Sequence, residues 1–460
     1  MTMTPEDLAA HALAVAKAAG AHSADAVFVS GRSTSVKVRL GAVEEVVQSR
    51  DHGLGVRVMV GDGGGMGTGL RTATTSTSDL SPESIARLVR DTVAMARLTA
   101  PDPFAGLPEA MADVEGAPDE QALDLWDEGV VAFEADRAVE MAKATEGWAL
   151  GSDPRLKNSE GAEMSWGWSR SILATSDGVV RQKRGTSVAL WTTPVAEEGD
   201  EKQRDYWYSS ARHFADLLTP EAIGREAARR TLRRLGARKP KSAEVPVIFD
   251  APVASRLIGS IAGAANGASV YRDASWLCGK LGERIAAASV NLDDNPWVRR
   301  GAASRRYDGE GLPTAPFTLV KDGVLASWVL DTYTGKKLGA PTTRSAFRGL
   351  SGTPSPGTTN LWMRPGTKTP AELIADVKDG LFVTDTFGFG ANGVTGDFSQ
   401  GAVGIWIENG ELAYPVNELT IASTLQTMWP SVDGIANDLD TTRATSAPTL
   451  RIGRMTIAGG

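Results

Sequence analysis

The sequence predicts an α+β fold in two domains, a mixed sheet with helices over residues 1–239 and a largely antiparallel, β-rich unit over residues 240–460. Three observations carry this. A chain of 460 residues exceeds what one hydrophobic core usually supports. Its 50 glycines favour turns and tightly packed strands over long helices. Its strand-like runs follow one another in meanders instead of alternating with helices.

In order along the chain, Thr4-Pro5-Glu6-Asp7 opens the first helix: a capping hydroxyl, proline at the first position, then acids on the positive end of the dipole. Leu8, Ala12, Val15 and Ala19 share one face, and Gly20 closes the helix. Asp25 to Ser30 reads as a strand. Ser33–Leu40, Ala42–Gln48 and Leu54–Val60 follow, broken at Gly41 and at Asp51-His52-Gly53. The glycine-dense run Gly61–Gly69 could cradle a phosphate only if a helix began directly after it. Leu70–Ser78 is threonine-rich, so a hairpin turn or close strand crossing is expected there.

Ser81-Pro82-Glu83 starts a second helix running to about Leu98, and Pro101, Pro103, Pro108 and Pro118 mark a surface connection. A helix over Glu134–Thr145 precedes strands at Trp168–Thr175, Val179–Arg184 and Ser187–Thr192. Thr219-Pro220-Glu221 opens another helix, ending at Gly236, with Ile223, Ala227 and Leu235 facing inward. Its arginines, Arg225, Arg229, Arg230, Arg233 and Arg234, read as a solvated face rather than a nucleic-acid patch. After a boundary at Lys239–Ser242 come a strand at Val245–Phe249 and a small-residue helix at Val253–Gly267. Asp322-Gly323 and Asn409-Gly410 are two-residue hairpin signals.

The formal charge of −8 argues against general nucleic-acid binding, which rests on phosphate neutralisation. With a single cysteine, Cys278, no intrachain disulfide forms; this and the absence of a signal-like start or a long apolar run lead us to expect a cytoplasmic protein with no membrane contact. Cys278 has no histidine near it in sequence, so a buried inert thiol is expected. His11, His22, His52 and His213 show no helical ligand spacing. The acids Asp293, Asp294, Asp308 and Glu310 could form a carboxylate-only hydrolase or magnesium site, or simply bond to turn backbone. Most of the 12 tryptophans are expected in the core, with some lining a peptide groove or a subunit interface.

Several segments, in one order, are similar to a known family. They include Arg50–Val58, Ser275–Ile285, Tyr307–Thr314, Asp322–Leu325, Pro354–Asn360, Gly396–Gly401, Ile407–Gly410, Tyr414–Val416 and Pro448–Ile452. The chain resembles the TldD/PmbA family of peptidase subunits, also called modulators of DNA gyrase. Gln203-Arg-Asp-Tyr206 and Val394–Ser399 resemble its PmbA (TldE) branch. The catalytic branch carries a zinc-binding His-Glu-x-x-x-His helix. Counted back from Ser275, that motif falls on Ile258–Gly263, so its three working positions are Ile258, Gly259 and Gly263. None of these can ligate zinc, which takes imidazole, thiolate or carboxylate. The branch's C-terminal cysteine ligand has no counterpart before Pro448.

The resemblance thus implies a metal-free subunit with no catalytic residue of its own. It would pair as a heterodimer with a TldD-type catalytic subunit that holds the zinc and cleaves unfolded or leader peptides. The alternatives are an autonomous carboxylate-based hydrolase and a homodimeric peptide-binding protein.

Overall fold

The computed structural model describes residues 3–61 and 69–459. The turn expected at Gly61–Gly69 falls on 62–68 and lies outside the described residues.

In the first half, β1 (Ser23–Arg39), β2 (Ala42–Val60), β3 (Arg71–Thr77), β4 (Leu156–Thr175), β5 (Val180–Glu198) and β6 (Glu201–Arg204) form one sheet in the order β3-β2-β1-β4-β5-β6. A further strand, β7 (Trp207–Ala211), pairs with β5. Every pairing in this sheet is antiparallel. The helices are α1 (Pro5–Ala18), α2 (Pro82–Ala96), the short α3 (Glu120–Leu123) and α4 (Glu128–Val131), α5 (Ala135–Leu150) and α6 (Pro220–Leu232). The N-cap of α1 is the expected one: Thr4 and Asp7 form a reciprocal capping box. Its buried face is Leu8, Ala9, Ala12 and Ala16, with Val15 and Ala19 at the margin. This face and Ile85, Val89 and Val93 of α2 pack on Ala26, Val56 and Val58. Ala138 and Ala142 of α5 pack with Ile223 of α6 over Val36, Met164 and Leu190.

The expected break at Asp51-His52-Gly53 does not occur. β2 passes straight through it, with Gly31 opposite Asp51 and Ser30 opposite His52. The glycines there serve close approach instead. A Cβ on Gly55 would lie 2.0 Å from the Leu350 carbonyl oxygen, where the second half of the chain presses on β2.

The second half begins with β8 (Ala243–Phe249) and α7 (Ala251–Ala264). The strands β9 (Leu292–Asp294), β10 (Phe317–Lys321) and β11 (Val324–Leu325) follow, then the pair β12 (Ala346–Phe347) and β13 (Ser355–Pro356), and β14 (Leu361–Met363). Last come β15 (Asp379–Ala391), β16 (Asp397–Glu408), β17 (Glu411–Thr424), β18 (Val432–Ile435), β19 (Thr445–Ser446) and β20 (Leu450–Ala458). The order β17-β16-β15-β8-β20 closes on itself through β17–β20 pairing, which makes a barrel without a free edge, and β18 extends from β20. A smaller sheet, β11-β10-β9-β14-β19, lies beside it. Asp322-Gly323 and Asn409-Gly410 make the expected hairpin turns, with φ of 49° and 77°, and of 50° and 81°. One core, from Val247 and Phe249 through Leu381, Val383 and Ile421 to Ile452, also buries the inner face of α7.

Candidate functional site

Helix α7 starts after Asp250 with Pro252 in its first turn. Ala254, Leu257, Ile258 and Ile261 recur at helical spacing, and all are buried in the barrel core. Ile258 is 0% exposed. Gly259 is half-buried and Gly263 exposed, and a Cβ on either would meet nothing within 4 Å. Positions 258 and 263 lie about 140° apart around the helix. In this chain one faces the core and the other faces solvent, because the Ala254–Ile261 stripe fixes the helix rotation.

These residues do not fit a zinc ion. Two have no side chain, and the third is an alkane in a packed core. Among the described residues, no group of three or more His, Cys, Asp or Glu is placed to hold a metal.

The open side of α7 lines a groove instead. Two adjoining hollows of about 400 and 370 Å3 share Trp207, Arg230, Pro252, Ser255 and Arg443. The Arg230 guanidinium lies 4.7 Å from the Trp207 ring centre and that of Arg443 lies 5.0 Å from Tyr208. Arg256 pairs with Asp385 at 2.8 Å. Ser255 donates to the Ala251 carbonyl and accepts from the Ala447 N–H, so its hydroxyl is engaged. The groove's acids are engaged as well: Asp250 by Arg230 and Arg233, Glu226 by Arg229, Asp438 by Thr449 and Asp440 by the Thr442 N–H. Most of the groove's charges are thus neutralised in pairs, and it offers the aromatic faces of Trp207 and Tyr208 together with the Arg443 guanidinium. Tyr208 and Arg443 were not legible as site residues in the sequence; the signals there were the branch-like run ending at Tyr206 and the expectation that some tryptophans line a peptide groove, as Trp207 does.

The arginines expected to form a solvated face divide: Arg225 and Arg229 are exposed as expected, and the other three are not. Arg230 is buried, and Arg233 and Arg234 are mostly so, because their helix is clamped between the two halves of the chain. Arg234 bonds Asp205 at 2.9 Å and reaches Asp385 at 3.5 Å. Desolvation, followed by repulsion from Arg230, lowers Arg233 to about 10.

The four candidate carboxylates do not assemble into one site. Asp293 pairs with Arg364 and accepts from Thr318. Asp294, beside it on β9, is buried and accepts from the Thr359 N–H at 2.6 Å and its hydroxyl at 2.8 Å. Burial raises Asp294 to about 6. Asp308 accepts backbone N–H groups of Glu310, Leu312 and Ala346. Glu310 accepts from the Thr332 N–H. Burial first, then the charge of Asp308 and of Asp331, raises Glu310; burial also raises Asp308. Asp308 and Glu310 are thus held by backbone N–H groups, whereas Asp293 is held by side chains.

Cys278 is half-buried, with its thiol toward the Val270 carbonyl. His213 is buried against Asp124 and Asp127. Trp429, Trp276, Trp328 and Trp166 lie in the cores, whereas Trp148 is exposed. A cavity of about 580 Å3, which shares no lining residue with the groove at α7, opens between β5 and the Arg305–Gly309 loop.

Three stretches of the chain match the PmbA/TldA metallopeptidase domains: domain 1 over 24–96, the central domain over 131–235, and the C-terminal domain over 242–459. The first two share the seven-stranded sheet. A metalloprotease PmbA of Escherichia coli is 36% identical, the match covering 92% of this chain and 90% of the relative. A metalloprotease PmbA homologue of Haemophilus influenzae is 33% identical over 97% of this chain and 94% of its own. A Bacteroides thetaiotaomicron crystal structure, described as a modulator of DNA gyrase, superposes with a TM-score of 0.89 at 29% identity, covering 100% of both chains. TldE from Thermococcus kodakarensis shares the fold, with a TM-score of 0.82 at 19% identity over 97% and 99% of the two chains.

Proposed function

The chain belongs to the PmbA/TldD metallopeptidase family, and we propose that it acts there as the metal-free subunit of a heterodimer. The observation that carries this reading is α7, whose Ile258, Gly259 and Gly263 put an alkane and two bare backbones where a catalytic relative would place two histidine ligands and a glutamate base. Its TldD-type partner would hold the zinc and perform the cleavage. This chain would enclose the substrate and help to hold an extended, unfolded or leader peptide. Positioning and water exclusion are contributions a subunit makes without a reacting group of its own.

An unpaired edge supports the presence of a partner. Only Leu54–Val60 of β2 pair with β3, so the segment 42–53 has no second strand neighbour among the described residues. It exposes Val43, Val46 and Val47. Such an edge is a template for another chain. No helix among the described residues is long and apolar enough to cross a membrane. The cytoplasm is the location we propose, on the strength of a sequence with one cysteine.

The test is zinc content and peptidase activity of the purified chain, alone and mixed with a TldD-type subunit from the same cell. The expected result is no stoichiometric zinc and no cleavage alone, with cleavage on mixing. Bound metal and activity in the lone chain would overturn the reading.

A further inference from the structure

The cavity between β5 and the Arg305–Gly309 loop has a floor set by sheet register. Leu173 on β4 stands between Val27 on β1 and Arg181 on β5, and Ser171 stands opposite Lys183. Side chains directly opposite share a face, so Val27, Leu173 and Arg181 form one row and Lys183 lies next to it. The Arg305–Gly309 loop and Phe347-Arg348 form the roof. The space of about 580 Å3 is of ligand-binding size.

Its charge is unbalanced although the chain as a whole is acidic. Arg306 pairs with Asp113 and Arg348 with Asp25. Arg181, Lys183, Arg184 and Arg305 also line the cavity, and none has a carboxylate within 4 Å among the described residues. Of the lining acids, Asp124 is held by Arg299 and Arg300 and Asp308 by backbone N–H groups, which leaves Glu120 alone against the cations. Arg305 is 4% exposed, stacks on Phe347, and leaves Nε and Nη2 without a partner. Lys183 reaches the water of the cavity but is walled in by protein. Desolvation, then repulsion from Arg305 and Arg212, lowers it to about 8.

The same strand presents a free edge. β7 and β6 cover β5 only over 188–192 and 195–198, so Val180–Gly185 have no strand neighbour on that side among the described residues. Unpaired backbone groups beside unpaired cations match a polypeptide that carries carboxylates, since a small anion uses only the cations.

We propose that this cavity binds an acidic segment of an extended peptide, with Arg181, Lys183, Arg184 and Arg305 receiving its carboxylates and the β5 edge receiving its backbone. The assignment rests on the reading of the chain as a peptide-handling subunit and names the substrate class it selects.

The test is fluorescence anisotropy of the intact chain with a labelled Asp/Glu-rich peptide and with its Asn/Gln counterpart. The acidic peptide should bind about tenfold more tightly per charged hydrogen bond gained, less so at high salt. Lys183→Gln and Arg184→Gln, both exposed to the cavity and checked for native circular dichroism, should each reduce that preference. Equal affinity for the two peptides, or variants that bind like the parent, would overturn the proposal. So would displacement of the acidic peptide by the Asn/Gln peptide and inorganic phosphate with equal ease. Because no partner is present, failure here leaves the mixing assay untouched, and a failed mixing assay leaves a charge-selective binding result standing.

Discussion

Asp294 carries its carboxyl into the protein on β9, where the Thr359 N–H and hydroxyl meet it and burial raises it to about 6. Unfolded, the same group titrates near 3.8. Between those values the folded state holds a proton that the unfolded chain has released. Stability therefore falls as pH rises from about 4 to 6, then stays lower by a constant amount. Two pKa units correspond to about 3 kcal/mol. Asp294→Asn keeps the shape and the acceptor toward the Thr359 N–H but cannot ionise. Urea unfolding at pH 4 and pH 7 should show the variant gaining about 2 kcal/mol relative to the parent over that interval, since part of the change has already occurred at pH 4. A pH-independent difference would mean that Asp294 titrates normally in the fold. At this scale the sequence was least informative. It marked Asp293 and Asp294 as an acidic pair, yet strand alternation sends one to Arg364 at the surface and the other into the interior. Nothing local announces that difference, because the groups that meet the Asp294 carboxylate, Thr359 by hydrogen bonds and Arg305 by charge, are distant in sequence.

Elements that begin or end by local chemistry were legible. Thr4-Pro5 and Thr219-Pro220 cap α1 and α6, and the Asp-Gly and Asn-Gly turns join β10 to β11 and β16 to β17. What failed was continuity and closure. The Asp51-Gly53 break vanished because β1 pairs through it, and the β17–β20 seam joins strands whose sequences say nothing of each other. The site divides the same way. The lack of ligands on α7 was readable, whereas the groove beside it draws on β7, α6 and the Arg443 segment. The crossing of α5 and α6 gives a test in which propensity and packing have opposite signs. Propensity alone says that Gly224→Ala should stabilise α6 by about 1 kcal/mol. The new Cβ, however, would lie 2.6 Å from the Thr145 carbonyl oxygen and 2.7 Å from the Trp148 Cβ. Backbone cannot yield as a flexible side chain can, so a net loss of about 1–3 kcal/mol is expected. A variant more stable than the parent in thermal unfolding would show that the helices separate freely.

The two halves of the molecule meet through charge as much as through apolar contact. Asp25 on β1 accepts from Arg57 of β2 at 2.6 Å and from Arg348 of the second half at 2.8 Å, and both partners are nearly buried. Lys337–Asp102, Arg300–Asp124 and Arg234–Asp385 also cross the boundary, but they are more exposed and so more screened. Asp25 is therefore the ion pair on which coupling should depend most. Asp25→Asn would leave two guanidinium groups in the interior without a countercharge, and breaking a buried pair from one side costs about 3–5 kcal/mol. The damage should be local to the boundary, since β1 keeps its strand neighbours and the barrel closes on itself. Hydrogen exchange followed by mass spectrometry should then show faster exchange at Leu54–Val58 and Ala346–Leu350 before it shows any change in β15–β17. Adding Arg348→Met removes one stranded cation and should recover part of the loss. If exchange instead rises evenly through both halves, the triad serves global stability, and the domains are held together by Leu350 seated on Gly55 rather than by charge.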